Sequence, residues 1–148
     1  MRALSQYRAL PVYVVNSRFT ANACSNGGAL SSIGVSWTVL NSRFVANRAT
    51  GTGANPARAG KPGGGSGGAI YNDGDQMSLS IGGSLFASNH ANEGGGAIFF
   101  VSNDRSGAMA IRHTTLERNH NERFQTAGLQ GIFFLGARNP TVTNSVLR

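Results

Sequence analysis

Apolar and polar positions recur along this chain in a fixed phrase. "VVNSRFTAN" at 14–22 is followed by "VLNSRFVAN" at 39–47, "IGGSLFASN" at 81–89, "IRHTTLERN" at 111–119 and "VTNSVLR" at 142–148. A large apolar residue anchors each copy: Phe19, Phe44, Phe86, Leu116 and Leu147. Five residues earlier stands a β-branched residue: Val14, Val39, Ile81, Ile111 and Val142. Two before the anchor is a small hydroxyl: Ser17, Ser42, Ser84, Thr114 and Ser145. Three after it comes Asn22, Asn47, Asn89 or Asn119. A second phrase alternates with the first, as "GGAL" at 27–30 and "GGAI" at 67–70 and 95–98, with a degenerate "AGLQGIFF" at 127–134.

Each phrase is short, rich in β-branched and aromatic residues, and bounded by Gly, Asn, Ser or Asp. These are strand signals, and no segment holds a 3.6-residue period. In one straight strand, residues five apart face opposite ways. Both the Val/Ile and the Phe/Leu columns are apolar, so both are expected to point inward. The chain must then bend between them, near Asn16–Ser17 and its equivalents. Successive anchors are 25, 42, 30 and 31 residues apart. A unit of that length cannot bury its own apolar face and must stack on its neighbours. The expected fold is all-β, a parallel β-helix of about four rungs, spaced ~4.8 Å apart like neighbouring strands. The anchors then form a core ladder. The asparagines fall at corners, where they tolerate left-handed backbone and bond along the axis. The long interval holds residues 48–68, a glycine-rich stretch without periodicity that reads as an inserted loop.

The alternating GGA[IL] and FxxN phrases resemble right-handed parallel β-helix repeat proteins. These include the polymorphic outer-membrane-protein repeats and related secreted bacterial proteins of the pectin-lyase-like superfamily. "GGAIYNDG", "NHANEGGGAIFFVSNDR" and "PTVTNSVLR" look like longer blocks of such a protein. The resemblance spans nearly the whole chain, is specific for fold and says little about activity. It implies a right-handed, single-stranded coil forming one domain over 1–148, and an extracellular or cell-surface location. Such proteins are usually longer, so the chain is expected to be a fragment. Uncapped rungs would leave strand edges open to end-to-end self-association.

Composition narrows this picture. Glycine, at 21 of 148 residues, is about twice the usual ~7%, which suits many tight turns. Arginine supplies twelve of the thirteen basic residues and the net charge is +7. No basic block or aromatic-basic interleaving accompanies that charge, so nucleic acid is not an expected partner. Cys24 is the only cysteine, so no internal disulfide can form. "MRALSQYRALPVY" has no apolar core of a signal peptide, and no stretch reaches 18 apolar residues, so no membrane-spanning helix is expected.

Candidate chemistry is sparse. Asp73 and Asp75 in "NDGD" could take a cation, but match neither an EF-hand loop nor a calcium-binding nonapeptide, and a solvated turn is favoured. His90 and His120 each follow a column asparagine and would stack ~5 Å apart on adjacent rungs. With Glu93 and Glu122 nearby they could form a metal or acid/base cluster, though no ligand motif supports one. Arg18 and Arg43 share a column and could pair an acidic glycan or phosphate; solvated arginines are the simpler reading. Trp37, Phe99, Phe100, Phe133 and Phe134 could supply a sugar-stacking surface, or be covered by the 48–68 loop. No GxSxG, HExxH, CxxC or Walker A motif exists, and no cofactor is expected. The favoured expectation is a non-enzymatic surface scaffold for adhesion or polysaccharide contact. The alternative is a pectate-lyase-like enzyme, which would need the Asp73/Asp75 turn, the His90/His120 edge or the Arg18/Arg43 column to share one groove.

Overall fold

The computed structural model describes residues 1–4 and 10–148; residues 5–9 of the segment read for a signal peptide lie outside it. The described chain is strands and turns. β1 (Arg2–Leu4), β2 (Val12–Val15), β3 (Arg18–Thr20) and β4 (Ala23–Cys24) come first. β5 (Leu30–Ile33), β6 (Trp37–Leu40), β7 (Arg43–Val45) and β8 (Arg48–Ala49) repeat that order. β9 (Ile70–Gly74), β10 (Ser78–Gly82), β11 (Leu85–Ala87) and β12 (His90–Ala91) follow. Then come β13 (Ile98–Ser102), β14 (Ala108–Arg112), β15 (Thr115–Glu117) and β16 (His120–Asn121), and finally β17 (Ile132–Leu135), β18 (Thr141–Thr143) and β19 (Val146–Leu147).

Strands pair in parallel with their equivalents one repeat away, giving four sheets. The first is β1-β5-β9-β13-β17, the second β2-β6-β10-β14-β18, the third β3-β7-β11-β15-β19 and the fourth β4-β8-β12-β16. This is the arrangement of a parallel β-helix. Among the described residues no helix is long and apolar enough to cross a membrane.

Register follows the repeat. Phe19, Phe44, Phe86, Leu116 and Leu147 are successive partners in the third sheet. The first three rings stack with centroids 4.9 and 4.5 Å apart. Val14, Val39, Ile81, Ile111 and Val142 are likewise in register in the second sheet. Leu30, Ile70, Ile98 and Ile132 line the inside of the first. Phe44 and Phe86 are fully buried, each contributing roughly 1.5–3 kcal/mol of burial. Lower in the core, Trp37 is buried too, its indole N–H donating to Ser32 Oγ at 2.8 Å. Ser32 Oγ in turn donates to Asn72 Oδ1 at 2.9 Å. Two repeats on, the same inner column holds Phe100 and Phe134, which stack at 5.2 Å.

Both corners flanking the third sheet use left-handed backbone. Ahead of it the residue is Asn16, Asn41, Gly83, His113 or Asn144, with φ between 48° and 60°. This turn lets Val14 and Phe19 both face inward. Each column hydroxyl secures it: the Ser42 hydroxyl donates to Leu40 O and accepts from the Ser17 backbone N–H, and Ser84 does the same one repeat on.

After the third sheet, the left-handed residue is not the column asparagine, as the sequence reading had it. It is the residue before: Ala21, Ala46, Ser88 and Arg118, with φ of 51–57°. A side chain there costs ~1–2 kcal/mol. The asparagine that follows offsets this with its amide. Asn22, Asn47, Asn89 and Asn119 form a chain of Nδ2–H to Oδ1 bonds, each 2.9 Å. The Oδ1 atoms of Asn47, Asn89 and Asn119 also each accept a backbone N–H from the preceding repeat, and their Nδ2 groups each donate to a Phe carbonyl.

The GGA phrase has a comparable logic. Gly67 sits at φ 69°. A Cβ on Gly68 would overlap the Gly96 carbonyl and the His90 amide, so the first sheet can press against the fourth only through glycine. Between β8 and β9 the chain carries only isolated antiparallel bridges, Thr52 to Gly63 and Ala54 to Ala57.

Candidate functional site

The fourth sheet brings together three side chains able to bind metal. His90 on β12 and His120 on β16 are register partners, each directly after a buried ladder asparagine. Their rings stack 5.4 Å apart. Glu122 lies two residues past His120, in the bend that follows β16. Its Oε1 lies 2.8 Å from His90 Nε2 and 3.5 Å from His120 Nε2. The hydrogen bond from His90, joined by the charges of both rings, holds the Glu122 carboxyl below its ordinary range. Arg48 on β8 is the register neighbour of His90 on the other side.

Glu93 is not part of this cluster, although it lies three residues past His90, much as Glu122 lies two past His120. It turns inward and is fully buried. The Gly53 N–H donates to its Oε1 at 2.7 Å, the Arg58 guanidinium pairs with the same oxygen, and Arg123 Nε lies 3.2 Å from Oε2. Gly53 and Arg58 belong to the excursion between β8 and β9, so Glu93 pins that excursion onto the coil.

A second feature lies outside the first sheet. Tyr71, Phe99 and Phe133 are register partners and stack at 5.0 and 5.2 Å. Phe124 packs edge-on against Phe133 at 4.9 Å. These rings, with Asn55, Asp73, Val101, Asn103 and Leu135, line a groove of about 400 Å³. Of the five aromatic residues singled out from sequence, Trp37, Phe100 and Phe134 point into the core, while Phe133 faces this groove. Phe99 points outward but is only 3% exposed beneath its neighbours. Tyr71 and Phe124 were missed; strand parity from "GGAI" could have found Tyr71, whereas Phe124 sits in irregular chain.

Asp73 stands at the groove's polar end. Its carboxylate accepts from Tyr71 O–H at 2.9 Å and from Asn103 Nδ2 at 3.2 Å. Burial, with the adjacent Asp73 charge and that hydrogen bond, pushes the Tyr71 phenol well above its ordinary range. Asp75 lies past the strand end and accepts from the Asp104 N–H at 3.1 Å. Asp104 is capped by the hydroxyls of Ser102 and Ser106, which hold its carboxyl far below the carboxylate range.

Arg18 and Arg43 are register partners on the third sheet. Both are exposed, and Arg18 Nε donates to Thr20 Oγ1 at 3.2 Å. The column continues as Leu85, Thr115 and Val146. The three groups that a lyase reading would need together therefore sit on three different sheets: Asp73 on the first, His90 and His120 on the fourth, Arg18 and Arg43 on the third. Cys24 is exposed on β4. Compared with known proteins, the chain matches no family model, no curated protein and no solved structure.

Proposed function

We propose that this protein is a non-enzymatic scaffold, a right-handed β-helix of about four rungs acting outside the cell or at its surface. In this reading the glycine-rich stretch 48–68 is a loop inserted in one rung, and the pectin-lyase-like proteins are its relatives in fold. Its task is adhesion through contact with polysaccharide. The observation that carries the reading is the groove of Tyr71, Phe99, Phe124 and Phe133, rimmed by Asp73 and Asn103. Ring faces supply apolar area to a sugar ring, and a carboxylate and an amide beside them can bond its hydroxyls.

The disposition of the acids argues against the lyase alternative. Abstraction of a proton next to a uronate carboxylate needs a base near a cation that neutralises that carboxylate. All six acidic side chains of the chain have internal partners: Asp73, Asp75 and Asp104 as described, Glu93 with two arginines, Glu117 with Arg118 and Arg148, and Glu122 with the histidines.

The test titrates neutral and acidic oligosaccharides into the folded chain by calorimetry, beside Phe133→Ala. Loss of an aromatic anchor worth more than ~1 kcal/mol weakens binding at least about fivefold. Binding unchanged by Phe133→Ala would remove the groove from the argument. In parallel, ultraviolet absorbance with and without calcium reports unsaturated uronic products. A calcium-dependent rise lost in Asp73→Ala or His120→Ala would establish the enzyme reading instead.

A further inference from the structure

We propose that His90, His120 and Glu122 form a binding site for a divalent transition metal of the zinc class, which clamps two adjacent repeats of the coil together. The site is independent of the aromatic groove.

Geometry comes first. Zinc bonds of ~2.0–2.2 Å to nitrogen and oxygen in a tetrahedron place ligand atoms about 3.3 Å apart. Glu122 Oε1 lies 2.8 Å from one imidazole nitrogen and 3.5 Å from the other, on either side of that value. One ligand atom from each of the three residues lies within 4.8 Å of the others. His90 Nδ1 is buried without a hydrogen-bond partner, so the polar contact of that ring runs through Nε2, into the cluster.

Ligand chemistry selects the metal. Two imidazoles and one carboxylate suit zinc and its neighbours, whereas calcium and magnesium demand mostly oxygen. Three protein donors leave further coordination to water.

The backbone holds the site ready. His90 and His120 are fixed by parallel pairing of β12 with β16, and each follows an asparagine locked in the amide ladder. The two rings are therefore close before any metal arrives, so little ordering entropy opposes binding. Glu122 is the adjustable ligand, half exposed. The cations facing the cluster are Arg48, exposed on the preceding repeat, and Arg123, which is tied to Glu93.

The consequence is mechanical. His90 belongs to one repeat, and His120 with Glu122 to the next. A metal joining them adds a cross-link along the coil axis.

The test uses tag-free full chain. Zn²⁺ is titrated calorimetrically, and Co²⁺ is added as an optical probe. The expected result is one zinc per chain, a higher Tm with zinc, and cobalt visible bands of four-coordinate intensity. His120→Ala and Glu122→Gln are both surface changes. Each should weaken zinc by more than the ~10–100-fold that an outer partner is worth. Cys24→Ser should leave affinity unchanged. No saturable zinc binding below millimolar concentration would overturn the proposal. So would equal affinity in wild type and both variants, or loss of binding in Cys24→Ser.

Discussion

Replacing Asn89 by alanine tests whether the amide ladder holds the corner. The wild-type side chain makes four bonds: its Oδ1 accepts from Asn47 N and Asn47 Nδ2, at 3.0 and 2.9 Å, and its Nδ2 donates to Phe44 O and Asn119 Oδ1, both at 2.9 Å. Alanine leaves three buried groups short of a partner: the Asn47 backbone N–H, one Asn47 amide hydrogen and the Phe44 carbonyl. Asn119 Oδ1 keeps the Asn89 backbone N–H. At ~1–3 kcal/mol per orphaned group, the unrelaxed cost is roughly 3–9 kcal/mol. Local relaxation and water entry bring the expected value to about 4 kcal/mol, a large part of the ~5–15 kcal/mol available to a domain. Asn22→Ala is the internal control. That residue is exposed and its side chain bonds only to Asn47 Oδ1, so its loss should cost under ~1 kcal/mol. Urea unfolding followed through Trp37, the single buried tryptophan, measures both. The isosteric Asn89→Asp adds a pH signature. An ionised carboxylate turns both donor contacts into oxygen–oxygen repulsion, so its folded pKa is raised above the ~3.9 of the unfolded chain. The variant's relative stability is then fullest below about pH 4 and is lost as pH rises. Costs for Asn89→Ala and Asn22→Ala within ~0.5 kcal/mol of each other would refute the ladder argument.

Four further outcomes are expected. Phe86→Ala removes the fully buried last ring of the Phe19–Phe44–Phe86 stack and should cost ~3–5 kcal/mol in the same unfolding assay. Glu93→Gln strips the buried charge that pairs with Arg58 and Arg123, at a cost of about 3–5 kcal/mol, and should speed tryptic cleavage after Arg58. Ser88→Gly places glycine at an exposed φ of 55° and should raise stability by about 0.5–1 kcal/mol. Tyr71 keeps its proton in the folded state when unfolded tyrosine ionises near pH ~10, so its contribution to stability is lost as pH rises above that. Alkaline absorbance titration should show it ionising above the ordinary tyrosine range, and Asp73→Asn should bring it down while burial keeps it raised.

The repeat made the stacking legible. Four columns keeping their chemistry left no flat sheet able to bury both Val39 and Phe44, and parity alone called for a bend near Asn41–Ser42. That the columns meet in parallel register follows from the same phrase recurring. The site was less legible. His90 and His120 were readable as neighbours because both sit one residue past a ladder asparagine. Which acid joins them was not: Glu93 and Glu122 lie at similar offsets in sequence, yet one is drawn inward by Arg58 from the excursion and the other turns out to the histidines. Phe99 and Phe133 were readable as outward by alternation, but Phe124, which arrives from an irregular turn, could not be.

By itself, then, the sequence determined the period, the inward and outward residues of each strand, and the parallel stacking, because these depend on local alternation repeated in every turn. It could not settle which residue of the Asn corner takes the left-handed backbone. That depended on the amide having to point inward to reach its neighbours in the ladder, which forces the strain onto Ala46 or Ser88 instead. The tertiary structure alone decided the partners of Glu93, the closure of the aromatic groove by Phe124, and that Glu122 is the acid beside His90 and His120. Glu93, Glu122 and Phe124 lie outside the strands, where no alternation fixes the direction of a side chain, so only the packed coil sets what each one meets.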